Sequence, residues 1–282
     1  MVRRLLRFVK KISLMLIPRK VQSYYHSLVV REYNELSTGE IDFFNLIKKD
    51  IETVVDVGAR TDTFYATSTS EFGVKRKVYM FEANPVFSRK LASKTPSLGV
   101  DNFIFNIAIG KEHDYLHYFY DTQSFVERSN VGNISKHKSI QPIEIRTLDS
   151  FSDTIEKIDF LKTDIEEMDF YALLGAKKTL PSIKFIQFEL GLGMPYRGRS
   201  VKNSDYWELL ASNFDLFILR DANPIWSAYP ELPLLVNLDK NAKLAITILQ
   251  KLGYGFNIVG INRKIQVSDI VTQNIGSLSD LE

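Results

Sequence analysis

Apolar residues along this chain recur in short runs bounded by polar and turn-forming residues. The clearest runs are 53–57, 77–81, 102–107, 158–163, 183–189 and 215–220, rich in Val, Ile and Phe. Nearly continuous apolar runs of this length predict strands covered on both faces. Stretches of helical period separate several of them, at 62–72, 86–94 and 167–179. Strand and helix in alternation predict an α/β fold with a mostly parallel, doubly wound sheet. Residues 115–120 and 143–146 alternate polar and apolar and predict an antiparallel pair added to the sheet edge or rim. Before the first strand, residues 21–50 place Tyr24, Leu28, Val29, Tyr33, Phe43, Phe44, Leu46 and Ile47 at helical spacings. Two irregular segments after core strands, 191–206 and 221–233, read as lids or as surface connections.

Composition narrows the class. The chain has 282 residues, 45% hydrophobic and 25% charged, as in ordinary globular proteins. Cysteine is absent, which removes disulfides, thiolate metal sites and a cysteine nucleophile. That fits a reducing compartment, and a cytoplasmic location is expected. The net charge is +2, but residues 1–20 carry seven basic residues and no acid. The remaining 262 residues therefore carry −5, the difference between +2 and +7, which argues against a general nucleic-acid binder.

On a helix, Leu5, Val9, Ile12 and Leu16 share one face, with Arg4, Arg7 and Lys11 opposite and Pro18 as a stop. Such a basic amphipathic helix can lie on an anionic membrane surface or dock on the protein body. The expected contact is peripheral, through residues 1–17, on the inner membrane surface. The apolar run 12–17 is too short to span a bilayer and no small-residue cleavage site follows it. The oligomeric state is not legible.

The chemistry is concentrated in two strand ends. Thr53-Val54-Val55-Asp56-Val57 runs into Gly58-Ala59, and Val78-Tyr79-Met80-Phe81 runs into Glu82. A glycine lets backbone approach a ligand, and a carboxylate at the next strand end accepts hydrogen bonds from two ribose hydroxyls. A dinucleotide turn needs further glycines at positions 60 and 63, which are Arg60 and Thr63. A nucleoside ligand without phosphates fits better than a nicotinamide cofactor, and S-adenosyl-L-methionine is such a ligand.

Seven blocks in order resemble the FkbM family of S-adenosylmethionine-dependent methyltransferases. They are Val55-Asp56-Val57-Gly58-Ala59, Phe81-Glu82-Ala83-Asn84-Pro85, Asn106-Ile107-Ala108-Ile109-Gly110, Arg146-Thr147-Leu148-Asp149, Ile158 through Asp169, Leu174-Gly175-Ala176 and Phe188-Glu189. The resemblance implies a class I methyltransferase-like Rossmann fold over residues 51–282, preceded by a basic arm (1–20) and a helical extension (21–50). It implies O-methylation of a hydroxyl on a sugar, glycan or related small molecule. It also implies roles: Asp56, Gly58, Ala59 and Arg60 at the methionine end, Glu82 on the ribose, Asn106 and Ala108 near the adenine, and Asp164 facing the reacting centre. The chain departs from the family pattern at Arg60, where Asn is usual, and at Asp62 and Glu167, where Gly is usual. Asp62 and Glu167 motivate the alternative of a non-catalytic, membrane-apposed scaffold or binding module of the same fold.

An acceptor hydroxyl needs a proton acceptor, and Asp164, Glu166 and Glu189 are the catalytic candidates. Lys162, one strand period before Asp164, can hold it by charge. The cluster Asp164, Glu166 and Asp169 can act as base, cap the next helix or bind a hard divalent cation. A cation is not favoured, because no His joins the cluster. His113, His117 and His137 lie in the inserted segment. Tyr196, Arg197, Arg199, Trp226 and Tyr229 are candidate acceptor contacts.

Overall fold

The structure, a computed structural model, describes residues 39–61, 76–98, 101–119, 124–127, 140–165, 168–191, 195–196, 199–220, 232–251 and 255–278. The basic arm, the helix expected at 62–72 and most of the loop 221–233 lie outside these residues. The chain divides into two compact units, one of Asp50–Asp215 with Gly260–Gln266, the other of Met1–Lys49, Leu216–Val259 and Val267–Glu282.

The first described element is α1 (Gly39–Ile47), in the second unit, which buries Phe43, Phe44 and Ile47. The first unit then begins with β1 (Thr53–Val57), β2 (Lys77–Phe81), α2 (Pro85–Lys94) and β3 (Asp101–Phe105). An inserted group follows: β4 (Ala108–Ile109), β5 (Asp114–Phe119), β6 (Ser124–Glu127) and β7 (Ile140–Arg146). The chain returns to β8 (Phe160–Thr163), α3 (Asp169–Leu174) and β9 (Phe185–Leu190). The short β10 (Pro195–Tyr196), β11 (Arg199–Ser200) and α4 (Asn203–Leu210) come next.

Within this unit the strands lie in the order β9-β8-β1-β2-β3, and every pairing is parallel. Val54, Val55, Val57, Val78, Phe160, Phe185 and Phe188 are buried, as strands covered on both faces require. The order reverses direction between β1 and β8, which opens a crevice at the carboxyl ends there. The inserted strands differ from expectation. β5 and β7 do pair antiparallel, but they belong to a separate four-stranded sheet, β4-β7-β5-β6, rather than to the edge of the main one. The described residues 168–179 are helical only over α3 and continue as turns, and the end of the loop 191–206 is the first turn of α4.

Several sequence blocks prove to be joints. Asp159, almost fully buried, accepts hydrogen bonds from the backbone N–H groups of Glu52 and Thr53 at 2.9 and 3.1 Å and so anchors the start of β1. Asp149 accepts from the backbone of Lys178 and Thr179 at 3.0 Å each and from the Thr179 hydroxyl at 2.7 Å. The backbone of Gly110 donates to Arg146, and that of Asp149 to Gly175. A β-carbon at Gly175 would lie 2.0 Å from the carbonyl oxygen of Gly110. Three blocks distant in sequence thus meet where only a glycine fits.

The second unit contains β12 (Phe214–Leu219) from Leu216 on, β13 (Leu235–Asn237), α5 (Lys240–Gln250), β14 (Phe256–Asn262) as far as Val259, α6 (Asp269–Thr272) and β15 (Ile275–Gly276). β13 pairs antiparallel with β12 and parallel with β15. Asp239 caps α5 by accepting from the Ala242 N–H at 2.8 Å, and Ala242, Ala245, Ile246 and Leu249 form its buried face.

The joint at Gly175 gives the first prediction. Gly175→Ala should lower unfolding stability by about 3 kcal/mol through overpacking against fixed backbone. Urea denaturation measures this, and a loss under about 0.5 kcal/mol would contradict the account.

Candidate active site

A cavity of about 590 Å³ opens at the carboxyl ends of β1, β2 and β8 in the first unit. Its walls come from four sources: the turn after β1, the segment 81–84 with Phe87 of α2, the inserted sheet with the residues leading into it, and Asp164, Ile165, Met168 and Tyr171.

The turn after β1 explains its glycine. Gly58 has φ of 88°, a region that costs an L side chain dearly. A β-carbon there would also lie 2.1 Å from the Asp164 carbonyl oxygen. Its N–H donates to the Phe81 carbonyl at 2.8 Å, tying β1 to the end of β2. Arg60 follows with φ of 54°, the left-handed region in which Asn is the easiest non-glycine residue. This accounts for the Asn usual in the resembled pattern. Arg60 holds the same backbone shape at a cost of about 1 kcal/mol.

That shape aims the Arg60 N–H at Glu82 Oε2, 2.7 Å away, while the Asn84 N–H donates to Oε1 at 2.6 Å. Glu82 is only 7% exposed. Burial pushes its carboxyl above the ordinary value, and the two backbone donors and the Arg60 charge pull it part of the way back. A carboxylate has about four lone-pair sites, so two remain for a ligand on the cavity side. Asn84 also caps α2, its Oδ1 accepting from Val86 and Phe87, with Pro85 in the first turn.

Asn106 stands behind this wall rather than on it. Its Nδ2 donates to the carbonyls of Glu82 and Ala83 at 2.9 and 3.0 Å, and Gln141 of β7 donates to its Oδ1 at 3.3 Å. It therefore holds the Glu82 segment against the inserted sheet. Next to it Ile107 and Ala108 do line the cavity, with Leu116 of β5 and Ile145 of β7. Phe87 completes this largely apolar section, and Lys111, Glu112 and Asp114 form a charged rim.

At the other end, the backbone N–H of Asp164 donates to Val57 at 3.0 Å. Lys162 Nζ lies 3.2 Å from Asp164 Oδ2, with the lysine 12% and the aspartate 45% exposed. Lys162 is also in register with Asp56 on one side and Gln187 on the other, so a buried polar row runs beneath the mouth. Asp169, at the first position of α3, is wholly buried. Burial pushes its carboxyl up to about 6; the Asp164 charge adds to this, and Thr163 and the Ile165 backbone oppose it.

Of the residues expected to hold a cofactor, Gly58, Arg60, Glu82, Ala108 and Asp164 line the cavity. Asp56, Ala59 and Asn106 are not among its lining residues; Asp56 and Ala59 are buried beneath the turn. Glu189 lies half-buried near the end of β9 and is not on the wall. Glu166, Asp62, Glu167, His137, Arg197, Trp226 and Tyr229 fall outside the described residues, as do the side chains of Tyr196 and Arg199. His113 pairs with Glu144 at 2.9 Å on an exposed part of the inserted sheet, and His117 is on β5; neither lines the cavity. Among the described residues no group of three or more His, Asp or Glu is placed to hold a metal ion. The inserted sheet's share of the wall is not legible in the residues alone. The alternation at 115–120 and 143–146 located those strands, but their sheet's position depends on distant pairing.

The family model described as "Methyltransferase FkbM domain" matches residues 56–223, more than half of the chain. Solved structures with similarity include a TehB-like SAM-dependent methyltransferase from Corynebacterium glutamicum, at 12% identity and TM-score 0.37, covering 87% of this chain and 97% of that one. An rRNA methylase from Streptococcus thermophilus shows 9% identity and TM-score 0.41, covering 81% and 99%. The plantazolicin methyltransferase BpumL, in complex with SAH, shows 11% identity and TM-score 0.38, covering 87% and 90%. No curated protein matches. The family assignment rests on the family model.

Asp169 gives a pH prediction. Below the ordinary carboxyl pKa of 3.8, folded and unfolded chains are both protonated there and burial costs nothing. Between that value and about 6 the unfolded chain ionises while the folded one keeps its proton, so stability falls as pH rises, and above about 6 the penalty is constant. Asp169→Asn should therefore gain on the wild type by about 2–3 kcal/mol between pH 4 and pH 7.5 in urea denaturation. A difference independent of pH would contradict this.

Proposed function

The chain belongs to the FkbM family and is an S-adenosylmethionine-dependent methyltransferase, and from that premise we propose that the cavity takes the cofactor and presents it to a hydroxyl acceptor. The observation that carries the reading is the buried Glu82 carboxylate, held by two backbone N–H groups with acceptor capacity left over. A pair of ribose hydroxyls matches that capacity. The adenine would lie in the section formed by Phe87, Ile107, Ala108, Leu116 and Ile145, and the methionine end against Gly58, with Arg60 near its carboxylate. Asn106, Asp56 and Ala59 would act by shaping the turn and the wall.

Bound S-adenosylmethionine supplies a methyl group activated by its sulfonium charge. The residues' task is then to align an acceptor oxygen and remove its proton. Asp164, partly exposed at the cavity mouth and oriented by Lys162, is the first candidate to accept that proton, with Glu166 and Glu189 as further candidates. We favour a hydroxyl of a sugar, glycan or related small molecule as acceptor. The net acidic body argues against nucleic acid on charge alone. A cytoplasmic enzyme in peripheral contact with the inner membrane surface through residues 1–17 is consistent with the basic arm. No helix among the described residues is long and apolar enough to cross a membrane.

Calorimetry with S-adenosylhomocysteine tests the reading. The chain should bind it, and Glu82→Ala should weaken binding by at least about tenfold, the equivalent of one charge-assisted hydrogen bond. No binding at millimolar ligand would overturn the enzyme reading and favour a non-catalytic scaffold.

A further inference from the structure

Helix α5 has two faces of different chemistry. Ala242, Ala245, Ile246 and Leu249 are buried, whereas Lys240, Asn241, Lys243, Leu244, Thr247, Ile248 and Lys251 just past its end are exposed. Leu244 is 60% and Ile248 38% exposed, two of the four large hydrophobic residues exposed among the described ones. They sit one turn apart, so they form a single apolar strip. Three lysines flank it, and residues 240–251 contain no acid. The nearest acid in sequence, Asp239, is committed to the Ala242 N–H and the Ser277 hydroxyl. A strip of aliphatic side chains set among lysines, Asn241 and Thr247, with no acid on the helix, matches a bilayer interface, with the apolar groups at the acyl boundary and the ammonium groups toward anionic headgroups. A second copy of this chain would instead bring lysine against lysine around the two-fold axis of such a face, which charge disfavours.

We propose that the exposed face of α5 is a peripheral docking surface for an anionic lipid membrane. It acts alongside the contact suggested for residues 1–17 and is independent of how the cofactor binds. Each lysine adds attraction that salt screens within about 10 Å at 0.1 M. The two aliphatic side chains make the contact more than a diffuse ionic one.

Co-sedimentation of the full chain with vesicles of phosphatidylglycerol mixed with phosphatidylcholine tests the inference. The wild type should partition to them, weakly to pure phosphatidylcholine, and less as salt rises. Leu244→Glu with Ile248→Glu should reduce partitioning by about tenfold or more, and Leu244→Ser with Ile248→Ser by about fivefold. Leu244 and Ile248 are not among the cavity's lining residues, so S-adenosylhomocysteine binding, where the wild type shows it, should be unchanged in both variants. Loss of that binding in the wild type would count against the cofactor reading and leave this one standing. Unchanged partitioning in both variants would overturn the inference and assign any lipid binding to the arm. So would equal binding to neutral vesicles, no binding by the wild type, or substitutions that change only the oligomeric state.

Discussion

The buried carboxylate of Glu82 is the constraint on which the site depends. It is held by the backbone N–H groups of Arg60 and Asn84, from the turns after β1 and β2. To place the first donor, the chain must turn at Gly58 and enter the left-handed region at Arg60. To place the second, Asn84 must leave β2 and start α2, which it also caps. An unpaired carboxylate at this depth would be costly, so these backbone shapes and the acid support one another. The raised pKa that burial imposes on Glu82 is limited by the same donors.

The rest of the cavity extends that arrangement. Asn106 ties the Glu82 segment to β7 through Gln141, so the inserted sheet is linked to the cavity wall by side-chain hydrogen bonds. The glycine contact between Gly175 and Gly110 fixes the inserted sheet's first strand against the end of α3. On the opposite side Lys162 sits between Asp56 and Gln187 in register and reaches Asp164. The cavity therefore has one apolar end suited to a flat base and one charged end suited to proton transfer.

Much of this was legible in the residues. The strands of the parallel sheet follow from apolar runs, and Gly58 and Glu82 stand out because a glycine turn after one strand and an acid at the end of the next suit a ribose-bearing ligand. Asn106 illustrates what was not legible. Its place in a recognisable block points to the neighbourhood of the adenine but not to the carbonyls of Glu82 and Ala83, to which its amide donates. A polar residue in a motif can serve the backbone as well as the ligand, and geometry separates the two. The separate inserted sheet was missed for a related reason: alternation reports which face of a strand is buried, and says nothing about which sheet the strand joins. Asp169 could be read as a helix-capping acid from its position, but its complete burial depends on how α3 meets the sheet.

A crystal structure of the chain with S-adenosylhomocysteine would test the central claim most directly. The account predicts both ribose hydroxyls within hydrogen-bonding distance of Glu82, with the Arg60 and Asn84 N–H bonds to the same carboxylate intact. A ligand seated elsewhere, or a ribose bound without Glu82, would contradict it.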